Sequence, residues 1–251
     1  IKMKNFREKI DKILPNYNSE DYIDQTLKSV INQSYKNWKL FIIDDGSNLK
    51  TKNILKKYRK NKKIKIIYLS KNRGAAYCRN LALKKSKSKF IAFIDSDDIW
   101  QKRKLETQIK FMIDKKKHFT YTFYKTIGLK KLNIITPLSF SYSSFIRNTS
   151  IATSTMMVSR EIVRGLNFTD TKICEDYFFK CKMLKKTKHA HAIPKYLTKY
   201  RIRFDSLQRS KLRNLYWIWK INYEYNKLSF VDNLISIFNI SLNSLFKYGL
   251  K

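Results

Sequence analysis

The chain has 251 residues, 43% of them hydrophobic and 14% aromatic, enough to fill one full core or two small ones without covalent staples. Three cysteines, odd in number and without zinc spacing, read as reduced thiols in a cytosolic setting, and no signal-peptide pattern or apolar run of about 18 residues marks an exported or membrane-spanning protein. The 54 Lys and Arg against 19 Asp and Glu give +35, a balance that fits an anionic partner, but the lysines are dispersed, which opposes a specific nucleic-acid surface and leaves solvated surface or anionic phospholipid.

In chain order, residues 10–14 form a short candidate strand that Asp11 and Lys12 interrupt and Pro15 stops, and the following Asn and Ser residues suit a loop and a helix cap. Tyr22, Ile23, Leu27, Val30 and Ile31 recur at helical spacing. A buried strand over 38–43 runs into Asp44-Asp45-Gly46-Ser47, a tight turn at a strand end. A short helix around Ile54, Leu55 and Tyr58 follows, then a strand over 64–69, a turn at Asn72-Arg73-Gly74, a helix over 75–85 and a strand over 90–94. This alternation predicts an α/β fold: a parallel sheet with right-handed crossovers and helices on both faces. Both acidic clusters follow strands, so the sheet brings them to one edge.

The second cluster is Asp95-Ser96-Asp97-Asp98, directly after an apolar run. Three aspartates within four positions raise one another's pKa, and ionising them together near neutral pH calls for a compensating cation. The alternative is a solvated turn in which Asp98 caps a helix starting near Gln101. Further elements are a helix over 101–113, strands over 119–124 and 134–135, a short helix over 142–147, a strand within 150–159 and a helix over 175–187. That last helix opens on Glu175-Asp176, which by itself fits an acidic first turn matched to the helix dipole. His189 and His191 alternate on a strand and read as structural; His118 has no assigned role. From residue 207 an aromatic-rich, helical tail carries lysines near both ends. It suits either a bilayer interface, with Trp and Tyr at headgroup level, or packing on the core.

Pro15-Asn16-Tyr17-Asn18, Ile43-Asp44-Asp45-Gly46-Ser47, Asn72-Arg73-Gly74 with Arg79-Asn80, Phe93-Ile94-Asp95-Ser96-Asp97-Asp98 and Cys174-Glu175-Asp176-Tyr177 stand in one order and spacing. Over residues 10–206 the chain thereby resembles the family 2 glycosyltransferases. The resemblance implies the GT-A fold, a mostly parallel Rossmann-like sheet flanked by helices, across residues 1–206, with 10–100 as the nucleotide half, 101–206 as the acceptor half and 207–251 as a helical tail. It implies inverting transfer of a sugar from a nucleotide-sugar, with a lean to uracil, to an acceptor hydroxyl. Pro15 and Tyr17 would line the nucleoside pocket, Asp45 would accept hydrogen bonds from the base, and Arg79 would meet the nucleotide. Asp95 would lie near ribose or metal and Asp97 would ligate Mn2+ or Mg2+ more directly, with the role of Asp98 left open.

Asp176 would be the catalytic base, beside Glu175. Its apolar neighbours Ile173, Tyr177, Phe178 and Phe179 are expected to raise its pKa towards the working range. Arg203 stands where related enzymes often have histidine; it cannot ligate a cation but can pair with phosphate. Residues 148–155 are expected to line the acceptor site or to form an ordinary loop and edge strand. A glycan or lipid-linked glycan acceptor, an anionic membrane surface and a place on the cytoplasmic face of the inner membrane complete the expectation, with bacterial surface-polysaccharide or lipopolysaccharide assembly as the setting. A metal-dependent nucleotidyltransferase would carry a Gly-rich phosphate loop after the first strand, which residues 15–20 lack. A basic nucleic-acid-binding module would cluster its charge.

Overall fold

The computed structural model describes residues 7–171, 173–203 and 210–248. Its first half consists of β1 (Ile10–Asn16), α1 (Ile23–Ile31), β2 (Trp38–Asp44), α2 (Leu49–Lys56), β3 (Ile64–Tyr68), α3 (Ala75–Lys85) and β4 (Phe90–Phe93). The four strands are parallel in the order β3-β2-β1-β4. Alternate residues bury opposite faces: Ile13, Phe41, Ile91 and Phe93 join one core layer, and Ile10, Leu14, Leu40, Ile42 and Ala92 the other.

Pro15 does not stop β1, which runs on to Asn16. Even-numbered residues of β1 bond to β2, as when Asp45 N donates to Asn16 O, and odd-numbered residues face β4, as when Ile94 N donates to Ile13 O. Pro15 therefore turns its missing N–H towards the β4 side, where pairing has ended at Phe93. Asp11 and Lys12 do not interrupt the strand either, because both are buried with partners. Asp11 Oδ2 accepts from Ser86 Oγ, Lys87 N and Ser88 N, each at 2.8 Å. Lys12 Nζ donates to Val30 O at 2.8 Å and lies 3.4 Å from the Trp38 ring centroid.

The second half is mixed. It comprises β5 (Ile99–Trp100), α4 (Lys104–Asp114), β6 (Phe119–Gly128), β7 (Asn133–Ile134), β8 (Ser139–Ser141), α5 (Tyr142–Phe145), a 3-10 turn at Thr153–Thr155, β9 (Met157–Ser159), α6 (Arg160–Val163), α7 (Glu175–Thr187) and β10 (His189–Ile202). β9 runs antiparallel between β4 and β6, and β10 lies parallel to β6, with β5 at the edge. Of the strand expected within 150–159 only the last three residues pair. The turn before them is thereby delivered to the carboxyl end of β4, beside Asp95.

The chain closes with α8 (Lys211–Lys220), a π-helical turn at Ile221–Tyr225 and α9 (Phe230–Tyr248). The expected boundary between 206 and 207 and residues 1–6 lie outside the described residues. One face of this tail is docked. Tyr177 Oη donates to Asn222 Oδ1 at 2.6 Å, Asn222 Nδ2 donates to Ser236 Oγ at 3.0 Å, and Ser236 Oγ donates to Ile146 O at 2.5 Å. Ile218, Ile221 and Ile240 join the core. The opposite face leaves Phe238 64% and Phe246 88% exposed, with Phe230, Val231 and Leu234. Among the described residues no helix is long and apolar enough to cross a membrane.

Candidate active site

In the order β3-β2-β1-β4 the chain reverses its direction of travel across the sheet at β1, and the crevice at the carboxyl ends of β1 and β4 is where such sheets bind ligands. The acidic turn after β2 sits on this edge. Asp44 Oδ1 accepts from Asn16 Nδ2 at 2.7 Å, and the two oxygens of Asp45 accept from Arg73 N at 2.7 Å and Gly74 N at 2.8 Å. Asp45 thereby clamps the loop preceding α3 against the β2 turn. Gly46 has φ +72°, and a Cβ there would stand 2.9 Å from the Lys71 carbonyl carbon, so the close approach requires glycine. Pro15 is half-buried and Tyr17 exposed at the same edge.

The β4 cluster is arranged in depth. Asp95 N donates to Ser154 Oγ at 2.9 Å and Asp95 Oδ1 pairs with Arg79 Nη2 at 2.7 Å. Arg79 itself is buried, its other nitrogen Nη1 lying 2.6 Å from Glu175 Oε1. The side chain expected at the nucleotide is therefore a bridge between the two acidic motifs. Asp97 Oδ2 lies 3.5 Å from Arg203 Nη1, while Asp97 O accepts from Arg201 Nε at 2.8 Å.

Asp98 is not a helix cap, because β5 and a turn separate it from α4 and its Oδ1 accepts from Arg201 N at 2.8 Å. Among the described residues its buried Oδ2 has no hydrogen-bond partner. Burial and the charge of Asp95 push Asp97 up to about 6, against the pull of Arg203. Burial, Asp97 and Asp95 likewise push Asp98 well above the usual carboxylate range. Aspartates that raise one another's pKa, and an orphaned carboxylate oxygen, fit a cation site. Among the described residues no three His, Cys, Asp or Glu side chains converge as a ready ligand set, so an ion held by Asp95 and Asp97 would need further ligands from water or phosphate, as Mg2+ commonly does.

Asp176 stands in the first turn of α7. Cys174, just before the helix, adopts left-handed φ 62°, ψ 26°, a strained conformation for a side-chain-bearing residue. Asp176 Oδ2 accepts from Thr153 Oγ1 at 2.8 Å and from Lys180 Nζ at 2.6 Å. The expected rise in its pKa does not occur. Burial does push it up, but Lys180, Arg79 and the Thr153 hydroxyl together outweigh burial and hold it below the usual carboxylate range. The decisive residue, Lys180, was absent from the sequence reading, although its i, i+4 spacing from Asp176 was a usable signal.

Asp95 and Asp176 line one cleft of about 780 Å3. Residues 148–153, expected on the acceptor side, line it too, as do Arg201, Arg203 and residues of α8 and α9. Pro15, Tyr17 and Asp45 lie outside this lining, on the β1–β2 part of the edge. His189 and His191 sit at the opposite end of β10 from the two arginines. Arg201 went unassigned in the sequence reading, although it is the side chain that ties β10 to the Asp97 loop.

A parallel half-sheet with carboxylates at its crevice, joined to a mixed half that contributes a buried aspartate, matches the GT-A fold. Solved structures of that fold agree: Staphylococcus aureus TarS 1-349 in complex with UDP-GlcNAc superposes with TM-score 0.74 at 21% identity, over 95% of this chain and 73% of that one. The mannosyltransferase PcManGT from Pyrobaculum calidifontis, in complex with GDP-Man and Mn2+, gives 0.72 at 14% identity, over 98% and 72%. The model of glycosyl transferase family 2 matches residues 12–189. TuaG of Bacillus subtilis (strain 168), named for teichuronic acid biosynthesis, is 34% identical over 91% of this chain and 93% of its own length. The Escherichia coli UDP-Glc:alpha-D-GlcNAc-diphosphoundecaprenol beta-1,3-glucosyltransferase WfgD is 31% identical over 83% of each. The chain belongs to glycosyltransferase family 2 and is a glycosyltransferase.

Proposed function

We propose that this enzyme transfers a sugar, with inversion, from a UDP-sugar to a hydroxyl of a lipid-linked glycan during assembly of a bacterial surface polysaccharide. The observation that carries the reading is the convergence of Asp95 and Asp176 on one cleft at the end of β4. Among the described residues the hydrogen bonds to the Asp176 carboxylate fall on Oδ2, so Oδ1 would take the acceptor proton. As that proton leaves, the acceptor oxygen bonds to the anomeric carbon, the bond to the donor phosphate breaks on the opposite side, and its electron pair departs with the diphosphate. A single carboxylate suffices for one in-line displacement. Asp176, ionised at neutral pH, is available throughout that range.

Asp97 and Asp95 would hold Mn2+ or Mg2+, which when bound neutralises charge on the departing diphosphate. Asp98 supports the loop through Arg201, and Arg203, beside Asp97, would pair with phosphate. Arg79 fixes Asp95 and Glu175, while Pro15, Tyr17 and Asp45 offer the edge for the nucleoside. Relatives named for UDP-Glc and diphosphoundecaprenol-linked substrates support this choice of donor and acceptor. The exposed apolar face of α9, on a chain of net charge +35, supports peripheral attachment to an anionic membrane. The buried free thiols Cys78, Cys174 and Cys181 suit its cytoplasmic side.

Calorimetric titration of nucleoside diphosphates with and without Mn2+ tests the donor site: UDP binding that needs the metal and is lost in Asp97→Asn supports the reading, and metal-independent binding unaffected by the substitution refutes it. Membrane attachment calls for Phe238→Glu with Phe246→Glu, not tail truncation, because α8 and α9 carry the buried network to Tyr177. Retained flotation of that double variant with anionic vesicles would reject the proposed membrane face.

A further inference from the structure

The turn at Thr153–Thr155 lies between the two aspartates that line the cleft, and successive residues of it hold one each. Thr153 Oγ1 donates to Asp176 Oδ2 at 2.8 Å, and Ser154 Oγ accepts from Asp95 N at 2.9 Å. The turn is itself anchored from two other elements. Trp100 Nε1 of β5 donates to Ser154 O at 2.8 Å, and Gln108 Nε2 of α4 donates to Thr155 O at 3.1 Å. All three turn residues are buried. Lys180, one helical turn beyond Asp176 on α7, reaches the same Oδ2 at 2.6 Å with its side chain 4% exposed, so this is not the solvated i, i+4 pair of an ordinary helix surface.

Hydrogen bonds are directional, so two donors from different elements on one carboxylate oxygen fix where the other oxygen lies. The remaining charged and titratable groups around Asp176 are Arg79 of α3, which acts on it through charge, and Cys174 and Glu175 at the start of α7. Lys247 of α9 lies close enough to feel the charge of Lys180. We propose that Thr153 and Lys180 are positioning residues that aim the Asp176 carboxylate, and that the Thr153–Thr155 turn sets its register against Asp95. This rests on the reading of Asp176 as the base and adds which side chains place it. A misplacement of about 1 Å at a reacting group costs on the order of 100-fold in rate, and one anchored turn shared by both aspartates holds their separation. Residue 153, expected to line the acceptor site, thereby acts on the base and not on the acceptor.

Two measurements on the full-length protein test this. The first is a carbon-13 NMR titration of the aspartate carboxyl groups at saturating Mg2+, with the Asp176 signal identified by its loss in Asp176→Asn. Wild-type Asp176 should stay ionised below the ordinary aspartate midpoint of about 3.9. Lys180→Met should raise its midpoint by at least about one pH unit, because burial then acts against less positive charge. Lys180→Arg should return it, and Thr153→Val should raise it by less. The second is steady-state transfer from UDP-glucose to a synthetic N-acetylglucosamine diphosphate lipid. Thr153→Val, which removes the hydroxyl and keeps the branched shape, should lower kcat by about tenfold, the scale of a lost hydrogen bond to a charged group. Both KM values should stay within about twofold, and Thr153→Ser should restore most of kcat. Ser154→Ala, one residue on, should instead weaken Mn2+-dependent UDP binding severalfold through Asp95.

An unmoved Asp176 midpoint in Lys180→Met would overturn the proposal, and so would an unchanged kcat in Thr153→Val. A raised acceptor KM at constant kcat would also overturn it, by making Thr153 a contact of the acceptor. Normal UDP binding by Ser154→Ala would overturn the shared register. If Lys180→Met does not fold, Thr153→Val and Thr153→Ser decide in both measurements. Asp176→Asn separates the two readings: transfer by this variant would sink the base assignment, while the NMR midpoints still decide whether Thr153 and Lys180 hold the carboxylate.

Discussion

On the proposed donor side, Asp45 is held by the backbone N–H groups of Arg73 and Gly74, whereas on the proposed acceptor side Asp176 is held by the side chains of Lys180 and Thr153. Backbone donors persist whatever residue supplies them, so the first arrangement depends on a turn and a glycine. The second depends on the identity of side chains drawn from α7 and from the turn before β9. The donor side should thus tolerate side-chain change around it and resist backbone change, and the acceptor side should do the reverse.

Asp176→Asn tests the acceptor side most sharply. It should lower kcat by roughly 10^3-fold, within the range for loss of a general base, while donor KM stays within about twofold; a parallel collapse of donor binding in steady-state kinetics would show that the halves are not separable. Arg79 grips both, through Asp95 and Glu175. Arg79→Met leaves buried carboxylates without their partner, at a cost of about 3–5 kcal/mol, and should lower the calorimetric Tm by roughly 10 °C.

Asp97→Asn should have opposite effects on binding and on stability. With its folded pKa near 6 instead of the ordinary 3.8, Asp97 keeps its proton longer in the folded state. It therefore destabilises the metal-free fold fully above about pH 6 and not below about pH 4, by about 3 kcal/mol at most. The variant should melt a few degrees higher than wild type at pH 7.5, equal it near pH 4, and lose Mn2+-dependent nucleotide binding. A lower melting point at pH 7.5 would contradict the charge argument.

Gly46→Ala tests the backbone arrangement with the smallest expected effect. The positive φ and the 2.9 Å approach to Lys71 should cost about 1–2 kcal/mol and weaken UDP binding severalfold. An alanine variant that binds UDP normally would show that the turn can move.

The same contrast explains what could be read from the chain before folding. Strand and helix periods placed β2, α3, β4 and α7 because each element's apolar pattern is local, and the carboxylates at strand ends followed from them. The depressed pKa of Asp176 escaped because apolar neighbours in sequence were weighed and the lysine one turn on was not. Arg79 was assigned to a ligand because its partner Glu175 stands 96 residues away and α3 gives no sign of meeting α7. Pro15 looked like a strand stop because its harmlessness depends on where β4 ends, a property of a different strand. The tail read as ambiguous because each of its faces meets a different medium.

The chain of bonds from Tyr177 through Asn222 and Ser236 to Ile146 begins at the residue after the proposed base and ends in the segment leading to residues 148–153, which line the cleft. The C-terminal helices are therefore not an interchangeable cassette. A chimera that takes them from a relative to alter acceptor choice must bring matching partners at 146 and 177, or it will graft a new surface onto a misaligned centre.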